Sequence, residues 1–269
     1  MSAYRSILLL SLLCTGLLSL LACSQKETVT FKIMSYNIRH GVGLDTILDL
    51  SRPAGIIRSQ SPDLCGLQEV DKYCRRSDST DQTVYLAEQT GLTGTFGKFM
   101  NYQEGEYGMA TLSDLPLVSS KVVPLPDGKY EPRSSLVHEV EVSQGHSLVF
   151  ANVHFDWIAG EEGMVSRLKQ AKALANYIDA LGKASIIVGD FNCTPDSPTM
   201  QYFAEQGYTF AHKGADSLSF QGAHKAELDH LIFRNSSQVT FKYKKVRLLE
   251  APIESDHRPL LVEIEVTIN

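Results

Sequence analysis

Short apolar runs that end at a polar residue recur along most of the chain. Four runs are mainly apolar and predict buried strands at residues 31–38, 147–155, 185–190 and 228–233. A fifth run at residues 259–268 (PLLVEIEVTI) alternates apolar residues with glutamates and a threonine. Because successive side chains of a strand point to opposite faces, this run predicts a strand with one buried and one exposed face.

Two segments carry a helical spacing of apolar residues. In residues 161–182 the apolar side chains recur every three or four positions, glutamates occupy the first turn and Gly182 follows the end. A shorter helix is predicted at residues 83–91, ending at Gly91. Strands packed inside with helices outside predict an α/β sandwich. Residues 31–269 contain no repeat, low-complexity tract or linker, so we expect them to form one domain.

The N-terminal segment has the pattern of a targeting signal. Residues 1–22 hold one cation, Arg5, followed by a leucine-rich apolar run, and the segment ends in Leu-Leu-Ala-Cys. The run is about long enough to span a bilayer, so a membrane anchor helix is the alternative. The ending resembles a bacterial lipobox, which favours a cleaved signal peptide and lipidation of Cys23. We expect residues 23–30 to form a lipidated tether and the protein to be exported and anchored to the cell envelope, on the outer-membrane or periplasmic face.

Composition restricts the function classes. The chain is globular, with 43% hydrophobic residues, a net charge of −6 and no basic cluster, which disfavours a protein that coats polyanions. Beyond the lipobox, the cysteines are Cys65, Cys74 and Cys193, none at CxxC spacing, so zinc is not expected. A Cys65–Cys74 disulfide is one alternative, and core packing of Cys65 is the other.

Polar side chains of particular types close nearly every predicted strand. A single such residue is usually a turn former, but the repeated placement of acids, amides and imidazoles indicates a site. Asp190 and Asn192 follow an apolar strand two residues apart, and alternation predicts that both face the same way, with Phe191 pointing into the core. Pro195 and Pro198 then end the strand. The set comprises Asn37, Glu69, His154, Asp190, Asn192, Asp229, Asp256 and His257.

Seven motifs in order carry a resemblance to a known family. They are SYNIRHG, LQEVD, YGMATLSDLPL, EPRSSLV, GDFNCTPDS, LDHLIF and SDHRPL, spanning about residue 31 to the C-terminus. Together they resemble the endonuclease/exonuclease/phosphatase family of Mg-dependent phosphodiesterases. The resemblance implies a DNase I-like fold, a four-layered α/β sandwich with two mostly antiparallel β-sheets face to face and helices outside.

The same resemblance implies a metal site and a catalytic set. A divalent ion neutralises phosphate oxygens and lowers the pKa of bound water, and Mg²⁺ needs only one or two carboxylates. Glu69 is the expected Mg²⁺ ligand, with Mn²⁺ as a substitute; Asn37 supports the ion through its amide oxygen or a water, and Asp256 approaches it or a second ion. The expected catalytic residues are Asp190 for water activation, Asn192 for holding Asp190 or a phosphate oxygen, the His257–Asp229 pair for charge stabilisation, and His154 for contacting phosphate or protonating the leaving group.

Five further residues are expected on the substrate side. Arg133 is a candidate phosphate clamp, with a surface salt bridge as the alternative. Trp157, the only tryptophan, either lines the substrate pocket or packs beneath its loop. The remaining candidates are His40 and Asp45, in a loop that resembles one near the family's site, and Tyr107 in the stretch EYGMA. His230 is interpreted as packing or surface.

The substrate stays open at the level of sequence. An Mg-dependent phosphodiesterase or nuclease-type enzyme is one reading, with phospholipid head groups or inositol phosphates as an alternative substrate class. A non-catalytic, phosphoester-binding envelope lipoprotein is the other class of function. The complete set of eight site residues favours the enzyme, because packing alone would not retain all of them. We expect a monomer without an obligate protein partner, which meets the membrane only through its lipid.

Overall fold

The structure is a computed structural model that describes residues 26–269, so the predicted signal peptide and Cys23 lie outside the described part. The first strand already begins at Glu27. Residues 27–30, which were assigned to the tether, therefore belong to the sheet, because they pair with the alternating C-terminal strand from Glu27 opposite Ile268 onward. Within residues 26–269 no helix has the length and apolar character needed to cross a membrane.

Twelve strands form two six-stranded sheets in the described part of the chain. The first sheet has the order β11-β12-β1-β2-β4-β3 and the second has the order β5-β6-β7-β8-β10-β9. Each sheet contains one parallel pair, β1 with β2 and β7 with β8, and its other pairs are antiparallel. The strands are β1 Glu27–Asn37, β2 Leu64–Lys72, β3 Thr93–Tyr102, β4 Gly105–Ser113, β5 Leu117–Leu125, β6 Arg133–Ser143, β7 His146–His154, β8 Ser185–Asp190, β9 Thr209–Phe210, β10 Asp229–Arg234, β11 Val239–Leu248 and β12 Leu260–Ile268.

Four α-helices of residues 26–269 cover the outer faces of the sheets. Helices α1 and α2 share an apolar cluster with the first sheet, and α3 and α4 share another with the second sheet. A third cluster lies between the sheets. The four-layered sandwich with helices outside is therefore confirmed. The helices are α1 Ser51–Gln60, α2 Gln82–Thr90, α3 Gly160–Asp179 and α4 Pro198–Glu205.

The predicted elements match the observed ones within a few residues. The runs 31–38, 147–155, 185–190, 228–233 and 259–268 correspond to β1, β7, β8, β10 and β12. The alternating residues of β12 behave as predicted, with the branched aliphatic positions buried and the glutamates partly exposed. The predicted helix at 161–182 ends earlier, at Asp179, which leaves Leu181 40% exposed beyond its end.

The two parallel pairs explain why polar strand ends meet at one edge of the sandwich. Parallel strands carry their C-terminal ends on the same side, so His154 lies beside Asp190 and Asn37 beside Gln68. The antiparallel strand β10 starts at that edge, with Asp229 opposite Asp190.

Close approach of β7 and β8 requires Gly189, which precedes Asp190. Its φ is +148°, and a Cβ atom there would lie 2.0 Å from the carbonyl oxygen of Val153. Glycine therefore lets the strand deliver Asp190 directly beside the end of β7.

Buried amides connect the two sheets beneath the site. Asn152 of β7 donates from Nδ2 to the carbonyl oxygens of Leu67 and Ala110 in the opposite sheet, at 3.0 and 2.9 Å. Its Oδ1 accepts a 2.7 Å hydrogen bond from Gln68 Nε2. Both side chains are fully buried. Because buried polar groups are costly when unpaired, this network favours one relative placement of the sheets.

The cysteines of the described part are free and buried. Cys74 donates from Sγ to the carbonyl oxygens of Tyr102 and Glu106, at 3.1 and 3.3 Å. Cys65 belongs to the cluster between the first sheet and its helices. Of the two alternatives for Cys65 and Cys74, the structure therefore has packing rather than a disulfide.

Candidate active site

Asp190 lies at the centre of the polar strand ends. Its Oδ2 accepts a 3.1 Å hydrogen bond from Asn37 Nδ2, and its Oδ1 accepts a 2.9 Å bond from the backbone N–H of Asn192. The Nε2 atoms of His257 and His154 lie 3.5 and 3.7 Å from Oδ2. Asp190 is 1% exposed, so its carboxylate sits among fixed donors rather than in solvent.

Asn37 orients two carboxylates at once. Its Nδ2 donates to Glu69 Oε1 as well as to Asp190, both at 3.1 Å. Its Oδ1 accepts a 3.0 Å hydrogen bond from the backbone N–H of Arg39. The turn after β1 uses that oxygen once, and the predicted support of a metal by Asn37, through the amide oxygen or a water, stays a prediction. Asn37 is a positioning residue in this arrangement.

Asn192 reaches the site by a different route from the predicted one. Strand β8 ends at Asp190, and Asn192 adopts a left-handed conformation with φ +51°. The alternation argument is therefore wrong, because the chain turns after Asp190 and Asn192 N–H bonds back to Asp190. Asn192 Nδ2 donates to the carbonyl oxygen of Phe155 at 3.0 Å. The prediction that Phe191 points into the core is confirmed, since its side chain is fully buried.

His257 and Asp229 form a buried pair. His257 Nδ1 lies 2.8 Å from Asp229 Oδ2. Burial disfavours the charged ring, but the negative charges of Asp229 and Asp190 outweigh burial and raise the pKa of His257 to about 10. The pair presents a cationic imidazole, with Nε2 towards Asp190.

Two serines hold this pair in place. Ser219 Oγ accepts the backbone N–H of Asp229 at 3.0 Å, and Ser255 Oγ accepts that of His257 at 3.2 Å. Ser255 Oγ also donates to the carbonyl oxygen of Asn37 at 2.7 Å, which ties the His257 segment to the end of β1.

Burial separates the pKa values of the groups around Asp190. Burial, reinforced by the Asp229 charge, raises the pKa of Asp190 to about 7, while the cationic His257 opposes that rise. Burial and the positive charge of Arg133 lower the pKa of His154 to about 3. His154 is therefore a neutral hydrogen-bonding ring at neutral pH, and its 3.7 Å approach to Asp190 is a contact rather than an ion pair.

Glu69 and Asp256 both line the same cavity. A bulge in β2 places Glu69 at φ +55°, and its side chain keeps 25% exposure. Burial would raise the pKa of Glu69, but the nearby His40 ring and the hydrogen bond from Asn37 hold it well below its usual range. Burial and the negative charge of Glu69 raise the pKa of Asp256. A divalent cation between two carboxylates would offset their mutual repulsion, so this part of the cavity suits such an ion.

A second group of atoms has metal-ligand spacing. Oxygen and nitrogen atoms of Asp190, Asp229 and His257 lie within 4.8 Å of one another. His257 Nδ1 is already bonded to Asp229, however, and all three side chains are buried. Glu69 and Asp256, which line the cavity and offer hard oxygen ligands, fit a divalent cation better than this buried group.

A cavity of about 560 Å³ opens over these groups. It brings together Glu69, Asp256, Asp190, Asn192, His154 and His257, with Tyr107, Arg133 and Trp157 further along its wall. Asn37 and Asp229 stand behind the lining and act through the groups that they hold.

The remaining candidates differ in position. His40 Nδ1 lies 3.8 Å from Glu69 Oε2, at the edge of the site. Asp45 does not line the cavity, because its carboxylate is held by Arg52 at 2.9 Å. Its predicted substrate role is not supported by this position. His230 is buried with Nε2 2.8 Å from the carbonyl oxygen of Cys193, which confirms it as a packing residue.

Arg133 has unsatisfied hydrogen-bonding capacity. The side chain is 1% exposed and Nη2 bonds Glu131 at 2.9 Å. Its Nε and Nη1 are buried without a hydrogen-bond partner among the described residues. Its guanidinium carbon lies 5.4 Å from the centroid of Phe99. A buried guanidinium with free donors at a cavity wall fits an anionic ligand.

Several contacts in the site had no motif of their own in the sequence. Ser219, which accepts the backbone N–H of Asp229, and Arg167, which donates to the carbonyl oxygen of Asp156, both lie outside the motifs. Only folding brings these two residues to the site. Phe220 and His224 line the cavity from the segment before β10, which contains no apolar periodicity. Ser255 immediately precedes Asp256 and His257, and a serine in a turn before such a pair is a local signal that the sequence does carry.

Comparison with protein families identifies the class. A model of the Endonuclease/Exonuclease/phosphatase family matches residues 34–257, and the chain belongs to this family. Its members are phosphoester hydrolases, typically dependent on a divalent metal, so the chain is a hydrolase acting on phosphoric esters. Comparison with curated proteins finds no match.

Solved structures agree with the fold. An endonuclease/exonuclease/phosphatase family protein from Bacteroides thetaiotaomicron is 18% identical, with a TM-score of 0.70 over 91% of this chain and 97% of that one. The human Nocturnin catalytic domain is 22% identical, with a TM-score of 0.69 and coverages of 89% and 96%. A mannosyl-6-phosphatase from Bacteroides thetaiotaomicron is 19% identical, with a TM-score of 0.66 and coverages of 87% and 99%.

Proposed function

We propose that the protein is an Mg²⁺-dependent phosphoester hydrolase that acts outside the cytoplasm by water attack on phosphorus. One observation carries the proposal: a buried acid, Asp190, lies between an amide donor and two imidazoles at the floor of a cavity lined by carboxylates. A binding protein has no need for an acid held in this way.

Asp190 accepts the proton of the attacking water. Its Oδ2 is held by Asn37 and its Oδ1 by Asn192 N–H, so the carboxylate keeps one orientation towards the cavity. Water adds to phosphorus and gives a proton to Asp190, the bond from phosphorus to the leaving oxygen breaks, and that oxygen takes up a proton from solvent, to which Asp190 later releases its own. His257, with its charge supported by Asp229, stabilises the negative charge that builds on the phosphate oxygens.

Glu69 and Asp256 would hold the cation, with Asn37 orienting Glu69. When bound, Mg²⁺, or Mn²⁺ in its place, neutralises phosphate oxygens and lowers the pKa of coordinated water.

Arg133 and His154 bind the phosphate from the cavity wall. Both line the cavity, and the free Nε and Nη1 of Arg133 supply two N–H donors. The neutral ring of His154 contributes a further donor.

We propose a location and an assembly for the protein from its sequence. The lipobox-like ending at Cys23 supports export, lipidation and attachment to the cell envelope through the N-terminal lipid. We propose a monomer with no obligate protein partner.

A substrate screen tests the activity. The purified protein is incubated with Mg²⁺ and bis(p-nitrophenyl) phosphate, a phosphomonoester, plasmid DNA, RNA, sphingomyelin and inositol phosphates, with and without EDTA. We expect hydrolysis of at least one ester class that EDTA abolishes. A folded protein that hydrolyses none of them with either Mg²⁺ or Mn²⁺ would contradict the proposal and favour a phosphoester-binding protein.

A further inference from the structure

One wall of the cavity is apolar and displays a large ring. Trp157, Ile158 and Ala159 line it from the loop between β7 and α3. The Trp157 side chain remains 54% exposed, although Phe155, two residues earlier, is fully buried. Exposure of a large aromatic ring at a cavity wall forgoes the favourable burial of its surface, which points to a ligand that covers it.

This loop is braced by buried polar side chains. Arg167 of α3, only 9% exposed, donates from Nη1 to the carbonyl oxygens of Asp156 and Ile158, at 2.9 and 2.8 Å. Gln170 Oε1 accepts the backbone N–H of Asp156 at 3.0 Å, and Asp156 Oδ1 accepts that of Ile158 at 3.3 Å. The backbone on both sides of Trp157 is therefore fixed, and the exposed ring sits on a rigid support.

Aromatic groups also line the cavity from the segment before β10. Phe220 has its ring centroid 5.0 Å from that of His257 and 5.5 Å from that of His224. Backbone hydrogen bonds hold this segment, from Phe220 N–H to Ala226 at 2.9 Å and from Gln221 N–H to the carbonyl of Asp256 at 2.7 Å.

The sheet order relates these two aromatic groups. Strand β8, which ends at Asp190, lies between β7 and β10. The segment after β7 and the segment before β10 therefore flank Asp190 on its two sides. We call the space between Trp157 and Phe220 the ring slot.

We propose that the substrate is a small phosphorylated compound whose organic part carries a ring, a nucleoside or a sugar, that packs on Trp157 in the ring slot. The inference rests on the proposed hydrolase function and adds the substrate class to it. The phosphate then lies over Asp190 and His257, with the ring attached to the oxygen that leaves. A cavity of about 560 Å³ accommodates a compound of this size.

A polymeric or membrane-bound substrate fits this cavity less well. The net charge is −6 and the sequence has no basic cluster along which a polynucleotide backbone would lie. Aromatic stacking on one or two rings is the means by which a site without such a cluster gains affinity for a single nucleoside or sugar.

Binding is measured first, independently of turnover. Trp157 is the only tryptophan, so fluorescence excited selectively at tryptophan reports on the ring slot. The Asp190→Asn variant, with Mg²⁺ present, is titrated with adenosine 5′-monophosphate, glucose 6-phosphate and glycerol 3-phosphate. We expect a saturable fluorescence change with at least one ring compound and a much weaker one with acyclic glycerol 3-phosphate. No saturable change with either ring compound, or equal changes with all three, would overturn the inference.

Kinetics of Trp157 variants provide the second test. Trp157→Ala should raise KM for the ring-bearing ester by about 10- to 100-fold, the worth of one stacked ring, and leave its kcat within a few-fold. Trp157→Phe should recover most of the loss. Tyr73→Ala is the control, because Tyr73 is 53% exposed and lies outside the cavity lining. An equal loss for glycerol 3-phosphate, or no loss at all, would contradict the proposal.

The two tests separate the possible failures. A fluorescence change without hydrolysis of any ester by the wild-type protein would support the ring slot and refute the hydrolase. Hydrolysis that is insensitive to Trp157→Ala would support the hydrolase and refute the ring slot. A larger fluorescence change with adenosine 5′-monophosphate than with glucose 6-phosphate would indicate that the ring is a nucleoside, and the reverse would indicate a sugar.

Discussion

Mild acid should destabilise the protein through His138, a buried ring on β6. The side chain is fully buried, its Nδ1 lies 2.7 Å from Ser120 Oγ, and its ring stacks on Phe150 with centroids 6.4 Å apart. Burial lowers the pKa of His138 from 6.5 to about 4. The native state therefore holds this ring neutral at a pH at which the unfolded chain binds a proton.

The direction of the pH dependence of stability follows from proton uptake by the unfolded state. Below pH 6.5 the unfolded state gains a proton that the folded state refuses until about pH 4, so stability present above pH 6.5 is lost as the pH falls through this window. Between pH 7 and pH 4.5 the loss from this one site is about 2–3 kcal/mol, because each pKa unit corresponds to about 1.4 kcal/mol.

Urea unfolding of the wild type and of His138→Asn across this pH range measures the effect. Asparagine keeps a polar atom near the position of Nδ1 but does not titrate, so the variant should lose about 2–3 kcal/mol less than the wild type on acidification. The absolute stability at pH 7 is not the readout, since the smaller side chain also changes packing. His212→Asn, at an exposed position, is the control. If the free energy of unfolding fell equally with pH in the wild type and in His138→Asn, the reasoning would be refuted.

Three further changes test how the fold positions the site. Asp229→Asn should lower kcat by about 100-fold or more, because His257 loses the charge that favours its cationic form; unchanged kcat with an intact fold would contradict this. Asn152→Ala should cost about 3 kcal/mol in urea unfolding, from three buried hydrogen bonds worth about 1 kcal/mol each. Gly189→Ala should cost about 3 kcal/mol through the clash with Val153, and a variant as stable as the wild type would show that the strands separate easily.

The strand ends could be predicted because local patterns define them. Apolar runs and alternation locate β8 and β12, and the ordered motifs place Asp190, Asp229 and His257 at one edge. The start of α4 also carries a local signal: Ser197 caps the helix by accepting Met200 N–H, and Pro198 stands in its first turn, which is a sequence pattern of helix starts.

The roles of individual groups depended on contacts between distant segments. Asn37 and Asp190 are 153 residues apart, and only folding reveals that the Asn37 amide nitrogen joins two carboxylates while its oxygen is used locally. Alternation failed at Asn192 because it applies only while the strand continues. Asp45 resembled a site residue by its loop, but Arg52, seven residues later, holds it instead.

The exposure of Trp157 also could not be predicted from the sequence. The sequence left two positions for this side chain equally open, in the pocket lining or packed beneath the loop, since both place a tryptophan shortly after a strand. The brace formed by Arg167 and Gln170 comes from helix α3, whose polar residues on the buried side carried no signal of that use.

The central claim is that Asp190 activates the attacking water in a phosphoester hydrolase. The most direct test compares initial rates of bis(p-nitrophenyl) phosphate hydrolysis, or of the best substrate from the screen, for the wild type, Asp190→Asn and Asp45→Asn with saturating Mg²⁺. We predict a loss of at least about 100-fold for Asp190→Asn with an unchanged circular dichroism spectrum, and a near wild-type rate for Asp45→Asn. An Asp190→Asn protein that turns over at the wild-type rate would contradict the account.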